Sequence, residues 1–144
     1  MNYGELLSHF LLDLQSIYRK NISIQGASFP QTLAISIIPD DGIEMSILSK
    51  KIGIDNSTAT RMIIGLEKKG WVYRQSSEHD KRIIKVYVTD LGISIQDDLE
   101  DQIERIGVAI EKEVDPLDRN EMIEFVSSLH WVLSKLIMKN SKIV

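Results

Sequence analysis

Two short polar runs in this chain have residue types and spacing suited to chemistry: Asn56-Ser57-Thr58 with Thr60 and Arg61, and Asp80-Lys81-Arg82. In the first, short amide and hydroxyl side chains let a helix backbone approach a nucleic acid closely. Arg61, one turn on, can fork onto a guanine edge or clamp a phosphate. The same residues have plain structural uses, as caps for Ser57 and Thr58 and as a surface ion pair for Arg61. In the second run, an acid two residues before an arginine in a tight hairpin can hold the guanidinium in one orientation. An arginine so oriented can enter a narrow, electronegative minor groove. Asp80 could equally neutralise a solvated loop tip, with Arg74 as a competing partner.

Other chemistries lack their residues. The chain has no cysteine, which removes disulfides, thiolate catalysis and Cys-ligated zinc together. His9, His79 and His130 fall in separate elements, so no metal site is expected. No G-x-S-x-G elbow, G-x-G-x-x-G or P-loop occurs. The expectation is a protein that is not an enzyme and needs no cofactor. No apolar run is long enough to span a bilayer. The first twenty residues lack a basic leader and a small-residue cleavage site, so a cytoplasmic protein is expected.

The charge is unevenly placed. The 144 residues sum to −4. Yet Lys50–Lys85 holds nine basic side chains (Lys50, Lys51, Arg61, Lys68, Lys69, Arg74, Lys81, Arg82 and Lys85) against four acids, Asp55, Glu67, Glu78 and Asp80. A basic middle flanked by acidic ends is the footprint expected of a localised polyanion contact. Asp97, Asp98, Glu100, Asp101 and Glu104 read most simply as a solvated helix face, and they could also repel DNA from that end.

The elements that must position these residues follow from periodicity. Leu6, Leu7, Phe10, Leu11, Leu14 and Ile17 recur at three- and four-residue spacing and predict a helix over 3–19. Pro30 opens a second helix, which must end by Ile38 because Pro39 disfavours helical geometry before it. Asp40-Asp41-Gly42 is a turn. Ser46 is expected to cap a third helix burying Leu48 and Ile52, stopped by Gly53. Asp55 caps a fourth, which buries Ala59, Met62 or Ile63, and Leu66, and ends at Gly70. Ile64 falls near the polar face without an evident reason. Trp71–Arg74 and the alternating Ile84, Val86 and Val88 form a two-stranded hairpin around the loop SSEHDKR. Thr89 caps a long fifth helix carrying Ile95, Leu99, Ile103, Ile106 and Ile110. Asp118 with Glu121 suggests a capping box for a sixth, which carries Met122, Phe125, Val126, Leu129, Val132, Leu133, Leu136 and Ile137.

The expected class is therefore mainly α with a small β-hairpin wing: a winged helix-turn-helix with flanking helices. Such a motif sets its second helix in a DNA major groove. The first, fifth and sixth helices hold wide apolar stripes outside that module, and pairing across a two-fold axis would bury them. A winged-helix protein-interaction module without DNA binding is the alternative, and the basic segment argues against it.

These features together resemble the MarR family of bacterial and archaeal regulators. The likeness runs through LSKKIGIDNSTATRMIIGLEKKGWVYR, DKR and VYVTDLG. Its residues are Ser57-Thr58, Thr60-Arg61 and Leu66 to Gly70 on the recognition helix, Asp80 and Arg82 in the wing, Thr89 to Gly92 after it, and Pro30-Gln31 at the second helix. The resemblance covers essentially the whole chain. It implies one domain over 1–144, a DNA-binding lobe at 29–92, and dimerisation helices at 1–22 and 93–144. It implies a homodimer that binds double-stranded DNA at a pseudo-palindromic operator, as many repressors of the family do. It also implies possible release by a small aromatic or anionic effector, whereas the cysteine oxidation used by other relatives is closed to this chain. No effector residues carry over, and Trp71 and Tyr18 are expected in the core.

Overall fold

The computed structural model describes residues 1–139. The amphipathic stripe of the N-terminal segment forms α1, Tyr3–Asn21, opened by a reciprocal cap: Asn2 accepts the Glu5 N–H, and Glu5 reaches back to the Asn2 N–H. The next helix, α2 (Phe29–Ser36), starts with the same device built from Ser28 and Gln31 and carries Pro30 in its first turn. It ends at Ser36, inside the limit that Pro39 sets.

Residues 43–88 build the wing and the helix pair. A strand that periodicity did not anticipate, β1 (Ile43–Glu44), precedes α3 (Met45–Ile52). The hairpin strands are β2 (Val72–Ser76) and β3 (Ile84–Val88), and β3 lies between β1 and β2 in an antiparallel sheet. The wing therefore has three strands rather than two. Two residues are too few to show an alternation, and β1 is recognisable only by its pairing, Ile43 with Val86 and Glu44 with Lys85.

The expected Ser46 cap does not form. Glu44 is the N-cap of α3 and makes no side-chain capping bond, so Ser46 lies within the first turn. The β1 pairing fixes Glu44 in extended geometry and starts the helix two residues early. Among the described residues, no side-chain hydrogen bond joins Asp118 to the start of α6, where the Met122 N–H bonds the Asp118 backbone carbonyl. Asp115 accepts the Leu117 N–H at 3.0 Å and shapes that turn instead.

The two remaining long helices are α5 (Asp90–Glu113) and α6 (Arg119–Lys139). Residues 140–144, the end of the expected dimerisation segment, lie outside the described residues. The core sits beneath the wing and the helix pair. Ala34, Ile35, Leu48, Ala59, Ile63, Leu66 and Val86 are all at most 1% exposed, and Leu99 and Ile106 of α5 close it from one side. Ile63 takes the inward position, while Met62 packs only partly against the core. Ile52 and Ile64 are half-buried. Trp71 and Tyr18 belong to this core or its edge.

The joint between wing and α5 is tight. Thr89 donates its hydroxyl to the Gly70 carbonyl at 2.6 Å and accepts the Gly92 N–H at 3.1 Å. A methyl group at Gly92 would overlap the Trp71 carbonyl. Backbone cannot yield as a flexible side chain can. Gly92→Ala is expected to destabilise the fold by about 1–3 kcal/mol, read as a lower urea midpoint with an unchanged m-value. A midpoint equal to the parent's would contradict this packing.

Candidate nucleic-acid interface

The polar residues between 56 and 61 lie on one helix, α4 (Asn56–Lys68), joined to α3 by a turn at Gly53, whose φ of 80° favours glycine. Asp55 caps α4 as expected. Its carboxylate accepts the Thr58 N–H and the Ser57 hydroxyl, each at 2.7 Å. These bonds, led by the Thr58 N–H and assisted by the Arg61 charge, hold its pKa down to about 2. A depressed carboxylate stabilises the fold above its usual value of 3.8 and loses that effect as pH falls through about 2. Asp55→Ala is therefore expected to lower the thermal midpoint at neutral pH, with the gap to the parent closing near pH 2. A gap unchanged by acid would mean that the carboxylate is not the cap.

The intrahelical bonds set which polarity each side chain presents outward. Ser57 gives its proton to Asp55, and Thr60 gives its proton to the Asn56 carbonyl at 2.7 Å. Each is left with an oxygen that can only accept. Arg61 is exposed, with one amino group 3.2 Å from the Thr58 hydroxyl, and keeps its other donors free of that bond. Asn56 is exposed at the first position of the helix, and its Oδ1 accepts from Ser49 of α3 at 2.6 Å.

The second polar run forms the wing tip. Asp80 accepts three bonds from Arg82: the backbone N–H at 3.0 Å, Nε at 3.1 Å and Nη2 at 3.0 Å. These bonds lower the Asp80 pKa and raise that of Arg82. The Arg82 side chain is nonetheless 91% exposed. It is a fixed but solvent-facing guanidinium, the arrangement expected from the Asp80-x-Arg82 spacing. Arg74 does not compete, because it pairs with Glu67 at 3.0 Å and ties β2 to α4. Lys81 is exposed beside Arg82, and His79 faces solvent.

Three positioning residues carried no signal in the sequence. Ser49 is 5% exposed beneath the start of α4. Gln96 donates to the Ile35 and Ile38 carbonyls, both at 2.8 Å, and Gln102 exchanges bonds with both backbone groups of Ser23 at 2.8 and 3.0 Å. Glutamines on a long charged helix look like solvated residues until the facing backbone is known. A cleft of about 570 Å³ lies between the end of α1 and α5, with Ile17, Ile106 and Ile110 beside Arg105.

Comparison with known proteins agrees with this geometry. The MarR family model matches residues 35–84. The chain is 29% identical over 94 residues to the transcriptional repressor MprA of Escherichia coli K12, covering 60% of this chain and 53% of MprA. It thus spans about half the length of that relative. It is 28% identical over 117 residues to the HTH-type transcriptional regulator SarZ of Staphylococcus haemolyticus, covering 81% of this chain and 75% of SarZ. Among solved structures, a MarR transcriptional regulator from Methanosarcina mazei Go1 superposes with a TM-score of 0.77 at 25% identity, over 92% of this chain and 96% of that one.

Proposed function

We propose that the chain is a MarR-family regulator, on the family match over residues 35–84 and the likeness to MprA and SarZ, and that it is a dimeric, sequence-specific DNA-binding repressor acting in the cytoplasm on a pseudo-palindromic operator. The wing carries this reading: Asp80 holds an exposed Arg82 by three hydrogen bonds, beside a recognition helix with its own exposed arginine. The pairing fixes the direction of the guanidinium while leaving it 91% exposed, open to an anionic partner. In this proposal α4 enters the major groove with Asn56, Ser57, Thr58, Thr60 and Arg61 facing the bases or the adjacent phosphates. Arg82 and Lys81 reach the neighbouring groove or backbone, and Asp80 orients Arg82.

Residues 29–92 act as the DNA-binding lobe, and 1–22 with 93–144 as the dimerisation part. The exposed apolar faces of α1 and α6 support that division. In the cleft between α1 and α5, Arg105 beside isoleucines suits a small aromatic or anionic effector. Occupancy there would bias the spacing of two recognition helices that must meet major grooves about 34 Å apart.

The test is a fluorescence-anisotropy titration of labelled duplex at rising salt. Affinity should fall steeply and linearly in log–log form, because phosphate contacts release counterions. Salt-independent binding, or none at low salt, would overturn the proposal. Arg61→Ala then separates base reading from phosphate clamping. It should weaken operator binding by roughly 1–3 kcal/mol and random-duplex binding by less. Equal loss on both would make Arg61 a phosphate clamp.

A further inference from the structure

We propose that Asn56 reads a base edge as a hydrogen-bond donor, and that Ser49, buried beneath it on α3, is the positioning residue that fixes this polarity. The inference rests on the reading of α4 as the recognition helix and specifies what its first residue recognises.

A carboxamide carries an acceptor on one side and two donors on the other in nearly the same shape. A free asparagine can present either by turning over. Asn56 is not free. The Ser49 hydroxyl oxygen lies 2.6 Å from Asn56 Oδ1 and 2.9 Å from the Ser46 carbonyl. A hydroxyl has one proton, so the two acceptors compete for it. A separation of 2.6 Å suits O–H···O and is short for N–H···O, which places the carboxamide oxygen, not its nitrogen, against Ser49. The Ser46 carbonyl lies inside α3, where the helix supplies its own donor. With Oδ1 held inward, the Asn56 NH₂ group faces out from the helix start, where recognition helices place base contacts.

Its neighbours carry the opposite polarity. Ser57 and Thr60 have given their protons to Asp55 and to the Asn56 carbonyl and can only accept. In the major groove an outward donor pairs with guanine O6 or N7, adenine N7 or thymine O4, whereas an acceptor pairs with the amino group of adenine or cytosine. The two bonds at Ser49 thus decide which bases Asn56 can select. Among the described residues, the bond to Ser49 is the hydrogen bond made by the Asn56 side chain.

Asn56→Asp tests this directly. It keeps the side-chain shape and an oxygen for Ser49 but replaces the outward NH₂ with an acceptor. Each full-length protein selects its preferred duplex from a randomised library. The parent should prefer guanine or thymine, whose major-groove edges carry acceptors and no donor, at one position of each half-site. Asn56→Asp should move that position alone to cytosine or adenine. Ser49→Ala should lower discrimination at the same position by roughly tenfold, with affinity for random duplex unchanged. Ser49→Thr, which keeps the hydroxyl, should restore it. A purely structural Ser49 would instead weaken binding to every duplex equally, and that result overturns the proposal. An Asn56→Asp protein that selects the parent's sequence overturns it too. That second result stands even if Ser49→Ala fails to fold, because position 56 is exposed. A parent that enriches no sequence removes the recognition-helix reading itself, and this inference with it.

Discussion

A Phe125→Glu/Val132→Glu variant is expected to sediment as a single 16.4 kDa chain at micromolar concentration and to bind operator roughly 100-fold or more weakly than the parent. The expectation follows from what the fold leaves uncovered. Neither α1 nor α6 has a buried residue. Phe125 is 68% exposed and Val132 45%, and both lie two turns apart on one face of α6. Leu11, Leu14 and Phe10 of α1 are comparably open. Monomeric proteins rarely leave such contiguous apolar surface in water. A second copy of the chain would cover it, and carboxylates at 125 and 132 would then have to be desolvated without partners. If each lobe reads one half-site, as proposed, separated chains would lose the second binding event as well as the interface. The helices would still form, since both positions face solvent in the single chain. A variant that remains dimeric would place the interface elsewhere.

Arg82→Ala is expected to weaken duplex binding by roughly tenfold or more while leaving the circular dichroism spectrum and the dimer intact. Among the described residues the exposed guanidinium hydrogen-bonds Asp80 alone, so its removal leaves no unpaired buried group. Asp80→Ala should weaken binding less, since the arginine keeps its charge and loses only its fixed orientation. The order of the two effects is the informative part. Equal losses would make Asp80 a contact in its own right, and parental binding by both variants would refute the wing assignment. The salt dependence of Arg82→Ala should be shallower than that of the parent if its partner is a phosphate.

How much of this was legible in the residues depended on the range of the interactions. The caps at Asp55 and Thr89, the turn at Gly53 and the Asp80–Arg82 pair are local, made within a few residues, and each appears where its spacing implied. Ser46 failed as a cap because a distant strand, β3, fixed Glu44 first. The third strand was illegible for the same reason: two residues acquire strand character only from the partners they meet 43 and 41 positions later in the chain. Ser49, Gln96 and Gln102 act across elements, on groups that their own sequence neighbourhood does not name. The site's residue types were thus visible, while the bonds that set their orientation were visible only where they were local. Glu67 illustrates the boundary. It sits seven residues from Arg74, on a different element, and claims the arginine that stood as a competitor for Asp80.

Selection of duplexes from a fully randomised library, followed by footprinting of the winner, tests the central claim most directly. The expected winner is an inverted repeat with half-site centres about one helical turn, or a multiple of it, apart. Two chains should protect it, and protection of both half-sites should be lost together in the Phe125→Glu/Val132→Glu variant. A pool with no enrichment over the input, or a winner without two-fold symmetry bound by one chain, would contradict the account of a dimeric, sequence-reading winged helix.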